Sequence, residues 1–410
     1  MTSSSADVAI VGGGPAGLIA ADRLSARGVG VTVYERMPSV GRKFLMAGRG
    51  GLNLTHSEPA DAFLSRYREA EPRLRAAIEA FPPEALRAWC EDLGIETFVG
   101  SSGRVFPRQM KASPLLRALL ARLSANGVTI RTRWRWTGFG ADGALSFDTP
   151  QGPKTHPAPD AVLLALGGAS WARLGSDGAW SAATDAAGIA RVPFSPSNCG
   201  IEVKWSQHFA DRFQGVPLKR IALSVGDRTL RGEAMITASG LEGGGVYALS
   251  PDIRRALADT SAPATLTLDL RPDLDVGTLA ARLARPRGKT SLSNHLRKTT
   301  GLAPAAVALL REAGERPQGA EALAARIKAL PLPVTGVAGM ARAISSAGGI
   351  AWSGIDDGYM LKDRTGVFVA GEMIDWEAPT GGYLLQACFA TGTAAASAIL
   401  TRLDHTESPP

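Results

Sequence analysis

Gly12, Gly14 and Gly17 stand in the order G-x-G-x-x-G inside DVAIVGGGPAGLIAADRLSARGVGVTVYER, residues 7–36, and Glu35 follows the last of them by eighteen positions. This set has the chemistry to hold a dinucleotide. The first glycine permits a tight turn, the second lets the backbone approach a pyrophosphate, and the third lets a helix pack close to a strand. Pro15 suits a first helical position, where its missing N–H costs little. From Ala16 onward, the free N–H groups of a helix start can meet the pyrophosphate. The Glu35 carboxylate, with Arg36 beside it, can accept from both ribose hydroxyls and would repel a 2′-phosphate.

Specific elements must position these groups. Residues 8–11 are an apolar run that reads as a buried strand. Residues 16–27 carry helical spacing, with Leu18, Ala21 and Leu24 on one face. Gly28 ends that helix, and residues 29–34 read as a second strand. In a chain with 47 glycines, the triplet alone is weak evidence. Strand, glycines, helix, strand and acid in order are specific.

Other chemistry finds little support. Cys90, Cys199 and Cys388 are far apart and form no C-x-x-C pair, which disfavours a dithiol centre or a cysteine zinc site and fits a reducing compartment. The five histidines form no ligand cluster, so no metal is expected. The start, MTSSSADVAIV, has no basic segment ahead of an apolar stretch, and reads as no signal peptide. The windows AVLLALGGA and ACFATGTAAASAIL are too short or too glycine-interrupted to span a bilayer. A cytoplasmic protein with no membrane partner is expected. The net charge of +7 is uneven: residues 104–135 are rich in arginine and lack acid. Within them RTRWRW, residues 131–136, could be a nucleic-acid face. A half-exposed strand, arginines outward and tryptophans inward, is the simpler reading, so a nucleic-acid partner is not expected.

Further along, residues 61–93 read as two or three helices broken at Pro72 and at Pro82-Pro83. Residues 113–127 read as a helix capped by Ser113, with Pro114 first and Gly127 as its stop. Short strands follow near residues 129–136, 144–148 and 154–156. Residues 161–166, AVLLAL, fit a central parallel strand, with Ala165 and Gly167 at its cofactor end. SDGAWSAATDAAG reads as a helix capped by Ser176 or Asp177. From about Arg191 shorter alternating runs take over. The expected division is 1–190 and 346–410 for one α/β domain, split by a β-rich insertion at 191–274, a helical part at 275–331 and a return at 332–345. The tail, TRLDHTESPP, should fray.

The return of the first texture near the end favours FAD over a nicotinamide. FAD is longer, and its flavin needs contacts from elsewhere in the chain. VFVAGEMID, residues 367–375, can supply them: Gly371 by close backbone approach, and Glu372 or Asp375 by accepting from ribityl hydroxyls. A second glycine-rich segment, GLEGGGVYALS (residues 240–250), lacks the strand–helix–acid context and reads as a turn. NAD(P)H would then be a transient reductant without a site of its own.

Four segments now carry a resemblance: VGGGPAGLIAA, GRKFLMAGRGGLNLTH, GGASWARLGSDGAW and GEMIDWEAPTGGYLLQACFATG. The chain resembles the BaiN-like, or aminoacetone-oxidase-like, family of NAD(P)/FAD-dependent oxidoreductases, as a divergent branch. The resemblance implies an α/β fold with a glutathione-reductase-like FAD-binding Rossmann domain, split by an inserted β-barrel-like domain and a small helical domain. It implies non-covalent FAD wrapped by residues 41–55, with Arg42 and Lys43 near the phosphates or ribityl chain and Asn53 and Leu54 against the cofactor. It also implies that Gly381, Gly382, Tyr383 and Leu384 open a helix beside the flavin pyrimidine. Related sequences often read G-R-C-N where this chain has Gly50-Gly51-Leu52-Asn53, so no thiol chemistry carries over.

The expected activity is hydride transfer through flavin N5, reducing or forming an activated C=C bond in a small or sterol-like molecule. The alternatives are an amine oxidase releasing hydrogen peroxide and a flavin-dependent nucleic-acid-modifying or RNA-binding protein. Asn53, His56, Tyr247 and Tyr383 are candidates for moving the proton, and none stands out. Arg49 and Arg173 are either substrate anchors or solvated charges.

Overall fold

The computed structural model describes residues 6–48, 50–259, 263–315 and 317–407. Arg49 and the last three residues of the tail lie outside them. The chain divides into two units, residues 1–195 with 345–410 and residues 196–344.

The first unit is organised by a parallel sheet. Strand β1, Asp7–Val11, pairs on one side with β2, Gly30–Glu35, and on the other with Ala161–Leu164. Thr129–Thr132 and Val367–Val369 form the two edges. The order is therefore Val367–Val369, Ala161–Leu164, β1, β2, Thr129–Thr132. Val8 to Val11 are at most 1% exposed, as expected of a strand covered on both faces. The order reverses direction between β1 and Ala161–Leu164. In such sheets the crevice outside the strand ends at that point is where ligands bind.

Helix α1, Pro15–Ser25, links β1 to β2, and the final helix, Tyr383–Glu407, packs against it. Close crossing is possible because position 392 is glycine: a Cβ there would come 2.4 Å from the Ala16 carbonyl oxygen. The stretch Tyr383–His405 is long and apolar enough to cross a bilayer, contrary to the expectation that glycine interrupts it. Ala387, Ala390, Ala395, Ala396 and Ile399 are fully buried in the protein core.

Several local expectations are corrected. Residues 131–136 alternate arginine out and tryptophan in, but not as one strand. Arg133 takes φ +62°, so Thr129–Thr132 stays in the parallel sheet while Arg135–Phe139 starts an antiparallel meander with Leu145–Thr149 and Gly152–His156. The helix placed at Ser113 starts at Ala112, with Lys111 at its cap position. The helix assigned to a Ser176 or Asp177 cap starts only at Ser181. The tail continues the final helix as far as Glu407.

The second unit carries an antiparallel sheet. Its order is Leu330–Pro333, Thr265–Asp269, Pro217–Val225, Arg228–Thr237, Gly240–Glu242, Ile201–Glu202, Gly336–Val337. The two outermost strands, Leu330–Pro333 and Gly336–Val337, are separated in sequence by only Val334 and Thr335. The sheet must curl until one continuous stretch borders both ends, which is the closure of a barrel. Helices Val276–Leu283, Leu292–Thr300, Pro304–Glu312 and Ala320–Lys328 contribute Leu279, Leu296, Leu309 and Ile327 to the same core.

None of the three cysteines is joined in a disulfide, and all are buried. Burial pushes the Cys90 and Cys388 thiols up to about 12. The folded chain thus holds these protons more tightly than the unfolded chain, whose thiols have the ordinary value near 9. The stability this represents is complete below that value and is lost as pH rises toward 12, by up to about 1.4 kcal/mol per pH unit for each thiol. Native protein should also leave Ellman's reagent uncoloured at neutral pH. Urea midpoints that stay level from about pH 8 to about pH 11 would contradict the burial of these groups.

Candidate functional site: a dinucleotide cleft

The ends of β1, β2, Ala161–Leu164 and Val367–Val369 open on one cleft, and all of its lining residues belong to the first unit. Each glycine of the first turn has a distinct constraint. Gly12 has φ +114°, and a Cβ there would lie 2.2 Å from the Ala165 carbonyl oxygen. A Cβ on Gly17 would lie 2.1 Å from the Gly12 carbonyl oxygen. Gly14 is the opposite case: it has an ordinary φ of −89°, and a Cβ there would meet nothing within 4 Å. It caps α1 without a side-chain hydrogen bond, Pro15 follows, and the first turn holds no acid. The N–H groups of that turn therefore face open space with positive potential.

Glu35 ends β2. Its Oε2 accepts from the Gly13 N–H at 3.0 Å and its Oε1 from the Met37 N–H at 2.8 Å. Burial raises its carboxyl above the usual range, opposed by those two hydrogen bonds and by Arg36 and Arg42. Each oxygen retains a lone pair for a further donor. Arg36 pairs with Asp177 at 2.5 Å.

Helix α2, Arg42–Ala47, starts at the cleft. Lys43 Nζ donates to Glu372 Oε2 at 2.5 Å and to Ser170 Oγ at 3.0 Å. Glu372 is 6% exposed, and its Oε1 accepts from the Ser346 N–H at 3.2 Å. Glu372 thus faces a cation across the cleft wall and is not simply an open acceptor. Gly371 takes φ +78° and sits against Ala16.

The cleft gathers Gly12, Gly14, Pro15, Ala16, Glu35, Arg36, Arg42, Lys43, Ala165, Gly167, Gly371 and Glu372. Gly17, Asn53, Leu54, Asp375, Gly381, Gly382, Tyr383 and Leu384 do not line it. Gly17 serves α1 packing and Leu54 is fully buried. The Asn53 Oδ1 is buried with no partner. Asp375 is half-buried; burial raises its carboxyl, opposed by the Gly348 N–H.

The proton-transfer candidates are placed as follows. The His56 Nδ1 accepts from the Glu58 N–H at 3.1 Å, and its Nε2 lies 2.9 Å from the Ser102 carbonyl oxygen; a carbonyl only accepts, so Nε2 carries the proton. The ring stacks on Tyr383 with centroids 5.6 Å apart. The Tyr383 hydroxyl donates to Glu58 Oε1 at 2.6 Å. Burial, followed by the Glu58 carboxylate, keeps it protonated well above the ordinary range. Burial works to raise Glu58, but Arg66 and Tyr383 outweigh it and hold the carboxyl low. Glu58 and Arg66, eight residues apart, were not legible as a site. Gly382, at φ +97°, lets this helix start approach Thr55, where a Cβ would lie 2.5 Å from the Thr55 Cα. Tyr247 belongs to the second unit, on Gly244–Ala248, and is half-buried. Arg173 is exposed.

The residues present fit FAD. Gly14 offers a cradle that only a ligand constrains, next to free helix N–H groups and an acid with spare lone pairs. Arg42 Nε, Ser176 Oγ and Trp136 Nε1, all in cleft residues, are buried and lack partners. Replacing Glu35 by alanine should weaken FAD binding by about 1.5–3 kcal/mol through lost charge-assisted bonds to ribose. Titration of the apoprotein checks this, and an unchanged dissociation constant would remove the ribose assignment.

Fold and cleft together define an FAD-dependent oxidoreductase built on a Rossmann domain. The chain belongs to the HI0933-like Rossmann family, whose model, described as the HI0933-like protein Rossmann domain, matches residues 6–398. It is similar to the 3-dehydro-bile acid delta(4,6)-reductase of Clostridium scindens, 28% identical over 415 residues, covering 96% of this chain and 99% of that one. Among solved structures it is similar in fold to the 3-ketosteroid delta1-dehydrogenase of Sterolibacterium denitrificans, with a TM-score of 0.55, 13% identity, and coverage of 97% of this chain and 99% of that one. A flavocytochrome c3 fumarate reductase also shares the fold, with a TM-score of 0.53, 14% identity, and coverage of 98% and 79%.

Proposed function

We propose that the protein reduces, or in reverse forms, an activated C=C bond in a small or sterol-like molecule, with NAD(P)H as a transient hydride donor. The observation that carries this reading is the end-to-end likeness to the bile-acid reductase of Clostridium scindens. Bound FAD supplies the hydride chemistry at N5. The chain binds and orients it. The N-terminus of α1 and Arg42 would meet the pyrophosphate, and Glu35 would hold the ribose. Lys43, fixed by Glu372 and Ser170, keeps one positive charge at the cleft wall. Gly381 and Gly382 do not line this cleft; the family resemblance would set the positive end of the helix that follows them beside the flavin pyrimidine.

Anaerobic titration tests the reading. NADH or NADPH should bleach the flavin absorbance, and a conjugated 3-keto steroid should restore it. If neither nucleotide bleaches it, or if simple amines do so and oxygen then yields peroxide, the protein is not a C=C reductase of this kind.

A further inference from the structure

The second unit holds a cavity of its own, of about 190 Å³, between Pro217–Val225 and the turn of residues 301–303. Its floor is apolar: Leu218, Ile221 and Leu302 are at most 5% exposed. Its charged residues are Lys219, Arg220, Arg271 and Asp273. Asp273 is already engaged, because Arg231 Nη1 donates to its Oδ1 at 2.9 Å. Asp269, two residues before Arg271, pairs instead with Lys328 at 2.6 Å. Lys219, Arg220 and Arg271 make no ion pair among the described residues. Three unpaired cations therefore border one apolar floor.

The backbone is distorted in a way that brings them together. Leu218 pairs with Ala234 and Ile221 with Gly232, so Lys219 and Arg220 together oppose Glu233 alone, which is a β-bulge. A regular strand sends successive side chains to opposite faces; across this bulge both line the cavity. Arg220 takes φ +52°, a left-handed conformation that is unfavourable for any residue with a Cβ. Glycine would sit there without strain, so arginine at this position serves its side chain and not the turn. Arg271 is held from the other side. Its Nη1 donates to the Gly301 carbonyl oxygen at 3.3 Å, and a Cβ on Gly301 would lie 3.0 Å from that nitrogen. The rest of the guanidinium keeps N–H groups for a further acceptor.

We infer that Lys219, Arg220 and Arg271 form a binding site for a phosphate monoester, built wholly from the second unit. Charge selects phosphate over carboxylate: a monoester carries about 1.5 to 2 negative charges at neutral pH, and a carboxylate carries one. Two guanidinium forks and one ammonium group present donors to its terminal oxygens, and the apolar floor receives the organic body. The site goes beyond the reaction proposed at the flavin and stands whether or not that reaction does.

Calorimetric titration of the FAD-loaded protein with phenyl phosphate tests it, since bound FAD keeps the probe out of the cofactor's own phosphate site. The parent should bind phenyl phosphate about tenfold more tightly than benzoate, which has the same ring and one charge. Lys219→Gln and Arg271→Gln should each weaken phenyl phosphate about tenfold to a hundredfold. Arg220→Gly removes the guanidinium and suits the φ. It should weaken the probe equally, while the melting temperature of the protein without probe stays level or rises; a structural role for the arginine would lower it. Lys204→Gln, at an exposed position of the same unit outside the cavity, should bind as the parent does. The site is overturned if the parent binds no phenyl phosphate, if benzoate binds as tightly, if the cavity variants bind as the parent does, or if Lys204→Gln weakens binding as much as Lys219→Gln.

Discussion

Gly12→Ala should cost the folded chain at least about 3 kcal/mol, whereas Gly14→Ala should leave its stability within about 1 kcal/mol. The two glycines are two residues apart in one motif, and the difference lies in what surrounds them. At position 12 an alanine would have to hold φ +114° and place its methyl 2.2 Å from the backbone oxygen of Ala165. Neither neighbour can yield without moving β1 or Ala161–Leu164, two central strands of the sheet. At position 14 the backbone is ordinary and the space is empty. A methyl there gains a little from a stiffer unfolded chain and loses a little as a poor helix cap. It projects into the pyrophosphate path, however, and should weaken FAD binding by about 1–3 kcal/mol. Chemical unfolding of both apoproteins, with FAD titration of Gly14→Ala, checks the pair. Equal destabilisation by the two substitutions would refute the claim that a ligand, not the fold, requires Gly14.

Glu372→Ala should lower stability by about 2–4 kcal/mol. The carboxylate is almost wholly buried, and its removal strands Lys43 with Ser170 as its only remaining hydrogen-bond partner among those described. The figure sits below that for a fully buried pair because the Lys43 side chain is 24% exposed and water partly solvates it. Replacing both residues by methionine should recover much of the loss, since two apolar side chains leave no buried charge unpaired. A double-substitution cycle measured by urea unfolding of the apoprotein separates the outcomes. Additive losses, with no recovery in the double variant, would mean that the ion pair contributes nothing as a unit.

The cofactor turn was legible in the sequence because its requirements are local. Turn, helix start and acid lie within thirty residues, and each residue type has one physical reason to be there. The β-rich insertion was legible from its short alternating runs, but its barrel-like closure only through resemblance, because closure depends on one stretch, Leu330–Val337, bordering two sheet ends. Other features depended on distant partners. The break at Arg133 lets the Trp134 N–H reach Glu35, a bond no period-two pattern can reveal. Ser176 and Asp177 look like caps because a polar residue before a helix carries the same signal whether it serves an N–H or a ligand; in the structure they line the cleft. Glu58 meets Tyr383 across 325 positions, so neither spacing nor composition pointed to it.

The Lys43–Glu372 contact joins residues 329 positions apart, and the cleft wall likewise takes residues from both extremities of the polypeptide. During synthesis, therefore, the glycine turn emerges long before its opposite wall exists. An early nascent chain can present the helix start and Glu35 but cannot enclose anything between them and Glu372. Loading of the prosthetic group is thus a late event in biogenesis, and a ribosome stalled before Gly371 should hold a colourless chain.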